Sequence, residues 1–196
     1  MNVTSTGNST FGYTFQVAVM AILAIGLLAF GECYGQSPEQ KKELAKADAD
    51  EQKLIQLYKD GDYAAAAKIG ERIKQIRQRI LGNEHPDYAT SLNNLALLYN
   101  RMGSYERAEP LHLESKKIRE KVLGKEHPDY ATSLNNLAGL YRSMGSYERA
   151  EPLYLESKKI HEKVLGKEHP DYATSLNNLA LLYESMGSYE LSLIHI

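Results

Sequence analysis

Three histidines, His85, His127 and His169, recur at intervals of 42 residues, and each is followed by Pro and Asp. Imidazole side chains exchange protons near neutral pH and bind zinc, so this repetition first suggests a catalytic or metal centre. Zinc ligands must lie about 2.0–2.1 Å from one ion, whereas equivalent residues of packed helices lie roughly 8–10 Å apart. We therefore expect that the three histidines do not bind one metal ion together. A helix start explains them better, because Pro suits the first helical position and Asp complements the helix dipole.

Other catalytic arrangements are missing from the sequence. The only cysteine, Cys33, lies near the N-terminus, and no serine stands in a G-x-S-x-G context. Glycines occur singly, which argues against a phosphate-binding loop, and carboxylates lie mostly near Lys or Arg at helical spacing. His112 and His161 have no counterpart in the neighbouring copy, where Tyr154 and Arg119 stand, so we expect no repeated site to include them. We expect this segment to be non-enzymatic, with no cofactor and no metal.

Composition and charge limit the classes of partner. Lys and Arg total 23 against 25 Asp and Glu, giving a formal net charge of −2, so the basic excess of a simple nucleic-acid-binding protein is missing. The hydrophobic fraction of 43% is too high for a disordered chain, and a single cysteine forms no internal disulfide. The balance favours a protein or peptide partner over a nucleic acid.

Residues 1–35 have the character of a targeting segment. Residues 15–30 are uncharged and largely apolar, and no Lys or Arg precedes Lys41. A secretory core needs about 7–15 apolar residues and a membrane span needs about 20, so both a cleaved signal peptide and an uncleaved anchor stay open. Glu32 before Cys33 argues against a lipoprotein signal. We expect an exported chain, periplasmic or secreted, with cleavage near Gly35. The basic cluster on the C-terminal side instead favours a membrane-anchored chain, which would touch the membrane only through this segment: Lys41, Lys42 and Lys46.

The rest of the chain repeats itself. The string HPDYATSLNNLA occurs at 85–96, 127–138 and 169–180, and residues 83–124 and 125–166 agree at 36 of 42 positions. At 191 the pattern breaks, and we expect the last six residues to be a non-native tail beyond which the gene continues. The sequence thus divides into an N-terminal helix with a degenerate repeat, two full repeats, a truncated repeat and the tail: 36–82, 83–124, 125–166, 167–190 and 191–196.

Each copy predicts two helices and no strand. In the first helix, apolar residues at helical spacing form one inward stripe: Leu92, Leu95, Ala96, Tyr99 and Met102. Gly103 is expected to end this helix in a left-handed conformation, and Ser104 to cap the next. Pro110 and Pro152 are expected to kink the second helix. Its inward residues are predicted to be Tyr105, Ala108, Leu111, Ser115, Ile118 and Val122. A further helix begins with the capping box Ser37–Gln40 and runs to about Lys59.

The spacing L-x2-L-A-x2-Y, followed by G-x-Y-x2-A, resembles the tetratricopeptide repeat. The 42-residue form, with EKVLGKEHPDYATSLNNLALLY and YERAEPL, is similar to the repeats of kinesin light chain and their bacterial relatives. The resemblance implies an all-α, right-handed superhelical stack of helix-turn-helix repeats. It also implies a concave groove in which asparagines of the first helices bind extended peptides.

Positions at which the copies differ suggest where selectivity lies. Three of the six differing positions fall on one stripe of the first helix: Leu97/Gly139/Leu181, Asn100/Arg142/Glu184 and Arg101/Ser143/Ser185. The alternative is that recent duplication left random surface substitutions. We predict a peptide-binding groove formed by Asn93, Asn94, Leu97, Asn100, Arg101, Asn135, Asn136, Arg142, Asn177, Asn178 and Glu184.

The expected function is a non-catalytic protein- or peptide-binding scaffold. An alternative is the recruiting or sensory arm of a longer bacterial enzyme, because bacterial relatives of this repeat often precede a caspase-like peptidase or a signalling kinase domain. Self-association through the uncovered last repeat is a third possibility.

Overall fold

The computed structural model describes residues 35–194, with side chains through 187, and in this range the chain forms seven helices and no strand. The signal-or-anchor prediction for 1–35 therefore lies almost wholly outside the described residues, as do the side chains of the predicted tail 191–196. The helices are α1 Pro38–Lys59, α2 Tyr63–Leu81, α3 Pro86–Arg101, α4 Tyr105–Leu123, α5 Pro128–Ser143, α6 Tyr147–Leu165 and α7 Pro170–Ile194. None of these described helices is long and apolar enough to cross a membrane.

The chain divides into two compact units, Met1–Lys42 and Glu43–Ile196. In the first unit the described residues hold the predicted capping box: the Ser37 amide donates to Gln40 Oε1 at 2.8 Å, and the Gln40 amide donates to Ser37 Oγ at 3.2 Å. The second unit is an all-α superhelical stack of hairpins. The first helices of the hairpins are α1 (from Glu43), α3 and α5, and their second helices are α2, α4 and α6. Helix α7 is the first helix of the last repeat and the last helix that the structure describes.

Helix starts confirm the structural role predicted for the repeated histidines. His85 and His127 occupy the N-cap positions of α3 and α5, and their Nδ1 atoms accept the amide hydrogens of Asp87 and Asp129 at 3.1 Å. His169 makes the same contact with Asp171 at 3.2 Å. Each histidine therefore satisfies an amide that the first turn of a helix leaves without a backbone partner.

The corner between the two helices of a hairpin depends on glycine. Gly103 and Gly145 adopt φ values of 71° and 73°, the left-handed conformation predicted after the first helix. The predicted capping by Ser104 is wrong in one respect: it occupies the N-cap of α4, but its side chain makes no capping hydrogen bond. At the equivalent corner before α2, Asp62 Oδ1 accepts the Ala65 amide at 3.0 Å.

Burial confirms most of the predicted inward stripe. Leu92, Leu95, Ala96 and Tyr99 are at most 3% exposed. Met102, 42% exposed, was wrongly included, because it lies beyond the last turn of α3.

In the second helix, Ala108, Ser115 and Ile118 are buried as predicted, and Tyr105 and Leu111 are half-buried. Val122 is 44% exposed, contrary to prediction. The reason is geometric: α4 has 19 residues and α3 has 16, so the last turn of α4 extends past its partner.

The first helices have a second buried side that their single apolar stripe does not reveal. Leu98 is 1% exposed, and a Cβ atom on Gly70 of the preceding hairpin would lie 3.7 Å from its Cδ1 atom. Leu140 and Leu182 occupy equivalent positions and are fully buried. Helices α3 and α5 therefore each pack against their own second helix and against the hairpin before them, as expected of stacked repeats.

Helix α7 differs from α3 and α5. It continues through Gly187, where the equivalent Gly103 and Gly145 turn the chain. Leu176 is 41% exposed and Tyr183 is 45% exposed, whereas their counterparts in the two preceding repeats are at most 4% exposed. Part of the apolar stripe of α7 is thus uncovered, as the sequence predicts, whereas Leu179 on the same stripe is 9% exposed.

Candidate functional site

Two adjacent asparagine positions recur in the first helices, and they join one repeat to the next. The Asn94 amide donates through Nδ2 to Glu51 Oε1 at 2.8 Å, and Asn178 donates through Nδ2 to Asn135 Oδ1 at 3.2 Å. In both cases the acceptor lies 43 residues earlier, in the preceding repeat. The half-buried Asn136 makes no side-chain hydrogen bond to any residue that the structure describes.

Asn93 does not face an open surface. It is 5% exposed, and its Oδ1 accepts a hydrogen bond from Nδ1 of the fully buried His112 at 3.0 Å. Burial lowers the pKa of His112 to about 4, so the imidazole is neutral at pH 7. Among the predicted groove residues, Asn93 is therefore buried beneath the surface of α3 and does not line a groove. Asn135, 9% exposed, is also largely enclosed.

An apolar pocket lies between α1 and α3. Its volume is about 300 Å³, and its walls are Leu54, Ile55, Tyr58, Asn94, Leu97 and Leu98. Arg101 lies over the Tyr58 ring, with its guanidinium carbon 5.8 Å from the ring centroid, and its Nε donates to the Tyr58 hydroxyl at 2.8 Å. The structure thus brings together three predicted groove residues, Asn94, Leu97 and Arg101, around this pocket and its border.

The equivalent region of the next repeat is more polar. Gly139 stands where Leu97 stands one repeat earlier, and a Cβ atom at Gly139 would lie 3.4 Å from the Tyr154 hydroxyl oxygen. Half-buried Arg142 has one guanidinium nitrogen, Nη1, that is buried without a hydrogen-bond partner among the described residues. Burial raises the pKa of Tyr154, and the positive charge of Arg142 opposes that rise.

The remaining predicted residues are more dispersed. Asn100 is half-buried, at the position equivalent to Tyr58 and Arg142. Asn177 and Glu184 lie exposed on α7.

A second repeated polar contact joins the second helix of one hairpin to the first helix of the next. Arg119 donates through Nη1 to the Asp129 carbonyl oxygen at 3.1 Å and to Ser133 Oγ at 3.0 Å, and through Nη2 to Thr90 Oγ1 at 3.0 Å. Arg77 contacts Ser91 in the same way at 3.1 Å, and also forms ion pairs with Asp48 and Glu51 at 2.8 Å.

His161 holds the same position in the following hairpin. Its Nδ1 atom lies 2.8 Å from Ser175 Oγ, and its Nε2 donates to the Pro128 carbonyl oxygen at 3.3 Å. The expectation that no repeated site includes His161 is therefore wrong, because this imidazole replaces the guanidinium of Arg77 and Arg119. The contact joins each second helix to the first helix of the next repeat.

Tyrosine hydroxyls form a third repeated contact. Tyr99 and Tyr141 each donate to a glutamate of the preceding repeat, Glu71 and Glu109, at 2.9 Å. Burial and the adjacent carboxylate raise the pKa of Tyr141 to about 12, so this phenol is protonated at neutral pH. These carboxylates are satisfied by tyrosine and by basic groups, and no cluster of three potential metal ligands occurs among the described residues.

Comparison with known proteins agrees with this architecture. The profile of the tetratricopeptide repeat matches residues 55–121, 92–157 and 134–195. The chain belongs to the tetratricopeptide repeat family. The comparison with curated proteins finds no match.

Solved structures share the fold. A kinesin light chain-like protein of Podospora anserina with nearly identical TPR-like repeats is 24% identical, with a TM-score of 0.59 over 92% of this chain and 84% of that one. A single-residue variant of it gives 24% identity and a TM-score of 0.61 over 91% and 81%. BtubC (BKLC) from P. vanneervenii is 23% identical, with a TM-score of 0.50 over 76% and 68%. Tetratricopeptide repeats are typical of protein-interaction scaffolds and are generally non-catalytic.

Two positions that differ between the tetratricopeptide copies are buried rather than on the surface. His112 and Tyr154 occupy one of them, and Arg119 and His161 occupy the other, all at most 6% exposed. Sequence periodicity did not predict the burial of these positions, because their polar side chains do not continue an apolar stripe. The signal available was their pairing: Leu97 occurs with His112, and Gly139 with Tyr154.

Proposed function

We propose that this tetratricopeptide stack is a non-catalytic scaffold that binds protein partners as extended peptides along its first helices. The observation that carries the proposal is the apolar pocket bordered by Asn94, between α1 and α3. An extended peptide needs a partner for its backbone and a recess for its alternate side chains. A primary amide beside an apolar recess provides both.

The amides that would bind the peptide keep unused capacity. Asn94 uses an Nδ2 hydrogen on Glu51, so its carbonyl oxygen and second hydrogen stay available. Asn136 uses neither group on any described residue. Variation at Leu97, Asn100, Arg101 and their equivalents would then select among peptides, because these positions share one helix stripe with the asparagines.

Asn136 is the position at which a substitution should change peptide affinity without changing stability. Peptides that bind the wild-type protein would first be selected from a displayed random library and then measured by calorimetry. N136A should weaken binding of the selected peptides by at least tenfold, while the melting temperature stays unchanged, because no described side-chain hydrogen bond is lost. N94A should weaken binding and also lower stability, since the hydrogen bond to Glu51 Oε1 is lost, although Arg77 still pairs with the other oxygen.

The matched control is K117A, at an exposed lysine of the second helix α4. It should change neither binding nor the melting temperature. Unchanged affinity in N136A and N94A together would contradict binding along the first helices.

A further inference from the structure

Helix α7 presents an apolar side that no described helix covers. Ala173, Leu176, Ala180 and Tyr183 follow one another at intervals of three or four residues, and all four are exposed. Their counterparts in α5 are at most 4% exposed: Ala131, Leu134, Ala138 and Tyr141. Together the four residues of α7 form the α7 face, a contiguous surface rather than a set of scattered apolar side chains.

The preceding repeat shows which side chains cover the equivalent surface. In α6, Ser157 donates through Oγ to the Ala131 carbonyl oxygen at 2.8 Å. Ile160 belongs to the same buried cluster as Ala131, and Ala150 is fully buried in the cluster that includes Tyr141. Small, hydroxyl and branched apolar side chains at helical spacing therefore fit this surface.

An arginine completes the polar end of the covered surface. The guanidinium carbon of Arg149 lies 3.8 Å from the Tyr141 ring centroid, and its Nη2 pairs with Glu109 at 2.7 Å. On α7 the corresponding tyrosine and carboxylate are already in contact, because Tyr183 donates to Glu151 at 2.7 Å. No basic group among the described residues joins that pair. The α7 face therefore keeps an acceptor for one guanidinium group.

We propose that the α7 face binds one amphipathic helix of another protein chain, packed as α6 packs on α5 and carrying the motif R-A-x6-S-x2-I. Helices α4 and α6 both contain this motif, at 107–118 and 149–160, and each covers a first helix with the HPDYATSLNNLA sequence that α7 shares. The arginine of the partner pairs with Glu151, its serine donates to the Ala173 carbonyl oxygen, and its alanine and isoleucine bury the α7 face. None of the four residues of this face belongs to the predicted peptide groove.

The test uses a defined probe, the capped and fluorescein-labelled peptide SYERAEPLYLESKKIHEKVL, which copies residues 146–165 and contains the motif. The protein should bind this peptide, as measured by fluorescence anisotropy. L176E should weaken binding at least tenfold, because the docked helix would enclose a carboxylate without a partner. The matched control is L181E, since Leu181 is 38% exposed, against 41% for Leu176, but lies on the groove stripe. It should leave the affinity unchanged, and neither variant should change the melting temperature.

The arginine contact is tested from both partners. Replacing the arginine of the peptide by alanine should weaken binding at least threefold, and E151Q in the protein should do the same. The two changes together should cost no more than either change alone, because both remove one interaction. Losses that multiply would show that this arginine does not pair with Glu151 and would overturn the proposed docking arrangement.

Other outcomes would overturn the docking site itself. Absence of peptide binding would do so, and equal affinity of the wild type and L176E would show that the peptide binds elsewhere. Sedimentation might instead reveal a dimer that L176E dissociates, in a protein that does not bind the peptide, and this result would assign the α7 face to a second copy of the chain. The scaffold function is judged separately, by the library-selected peptides and N136A.

Discussion

Arg119 donates through Nη1 to Ser133 Oγ at 3.0 Å, and this hydrogen bond joins the second helix of one repeat to the first helix of the next. Ser133 in turn donates to the Asp129 carbonyl oxygen at 3.1 Å, so its hydroxyl group both accepts and donates a hydrogen bond. Equivalent contacts at Arg77 and His161 show that every described junction between hairpins contains a polar bond at this point. In a stack where each repeat touches only its neighbours, such contacts determine how cooperatively the repeats unfold.

Replacing the serine tests this role. S133A leaves a buried guanidinium hydrogen without its acceptor and should lower the free energy of unfolding by about 1–3 kcal/mol. The measurement is the chemical denaturation midpoint followed by circular dichroism. S143A is the control, because Ser143 donates only to Gly139 within its own exposed helical turn. A loss in S143A as large as that in S133A would show that the junction contributes nothing specific.

Periodicity predicted the architecture well because it reports burial against one partner. The stripe through Leu92, Leu95, Ala96 and Tyr99 is visible in the sequence and buried in the structure. Leu98 was missed because the second buried face comes from the neighbouring hairpin, and stacking of repeats is a long-range property.

The candidate site was predicted less completely, because polar residues can be buried where partners satisfy them. Asn93 was expected to line a groove, yet its amide oxygen is bonded to His112 and its side chain is enclosed. Asn94 and Leu97 lie beside a pocket as expected. Only the three-dimensional arrangement distinguishes these adjacent positions, since both asparagines recur in all three copies of the HPDYATSLNNLA string.

Export of the chain is a prediction that processing can test. If residues 1–35 form a signal peptide, the protein recovered from an exporting bacterial host should begin near residue 36 and should be free of membranes. Intact-mass measurement of the recovered protein gives the cleavage site. Recovery of the full-length mass from the membrane fraction would instead support the uncleaved anchor, and full-length protein in the cytosol would contradict both.

Acid should destabilise the second hairpin through His112. Burial lowers its pKa to about 4 in the folded state, against about 6.5 when the chain is unfolded. The unfolded chain therefore binds the proton at a higher pH than the folded chain does. The contribution of neutral His112 to the free energy of unfolding is complete above about pH 6.5, decreases as the pH falls, and is lost by about pH 4. The difference corresponds to about 3 kcal/mol in the free energy of unfolding. Urea midpoints measured from pH 7.5 to 4 would show it.

The control for this acid effect is L97G/H112Y, which gives the second hairpin the residues of the third. A variant without the imidazole should lose less stability between pH 7 and 4 than the wild type does. Parallel pH profiles of the two proteins would assign the acid loss to other groups.

Leu97 and His112 should be energetically coupled, because at the equivalent positions a Cβ atom on Gly139 would lie 3.4 Å from the Tyr154 hydroxyl oxygen, so the two positions are in contact. H112Y alone directs a phenol toward the Leu97 side chain and should cost about 1–3 kcal/mol by overpacking. L97G alone removes apolar contacts and puts glycine inside a helix, which costs about 1 kcal/mol beyond the lost packing. The double variant should recover part of both losses, giving a coupling energy of about 0.5–3 kcal/mol in a double-mutant cycle at pH 7.5. Strict additivity of the two losses would mean that the paired differences between the repeats arose independently.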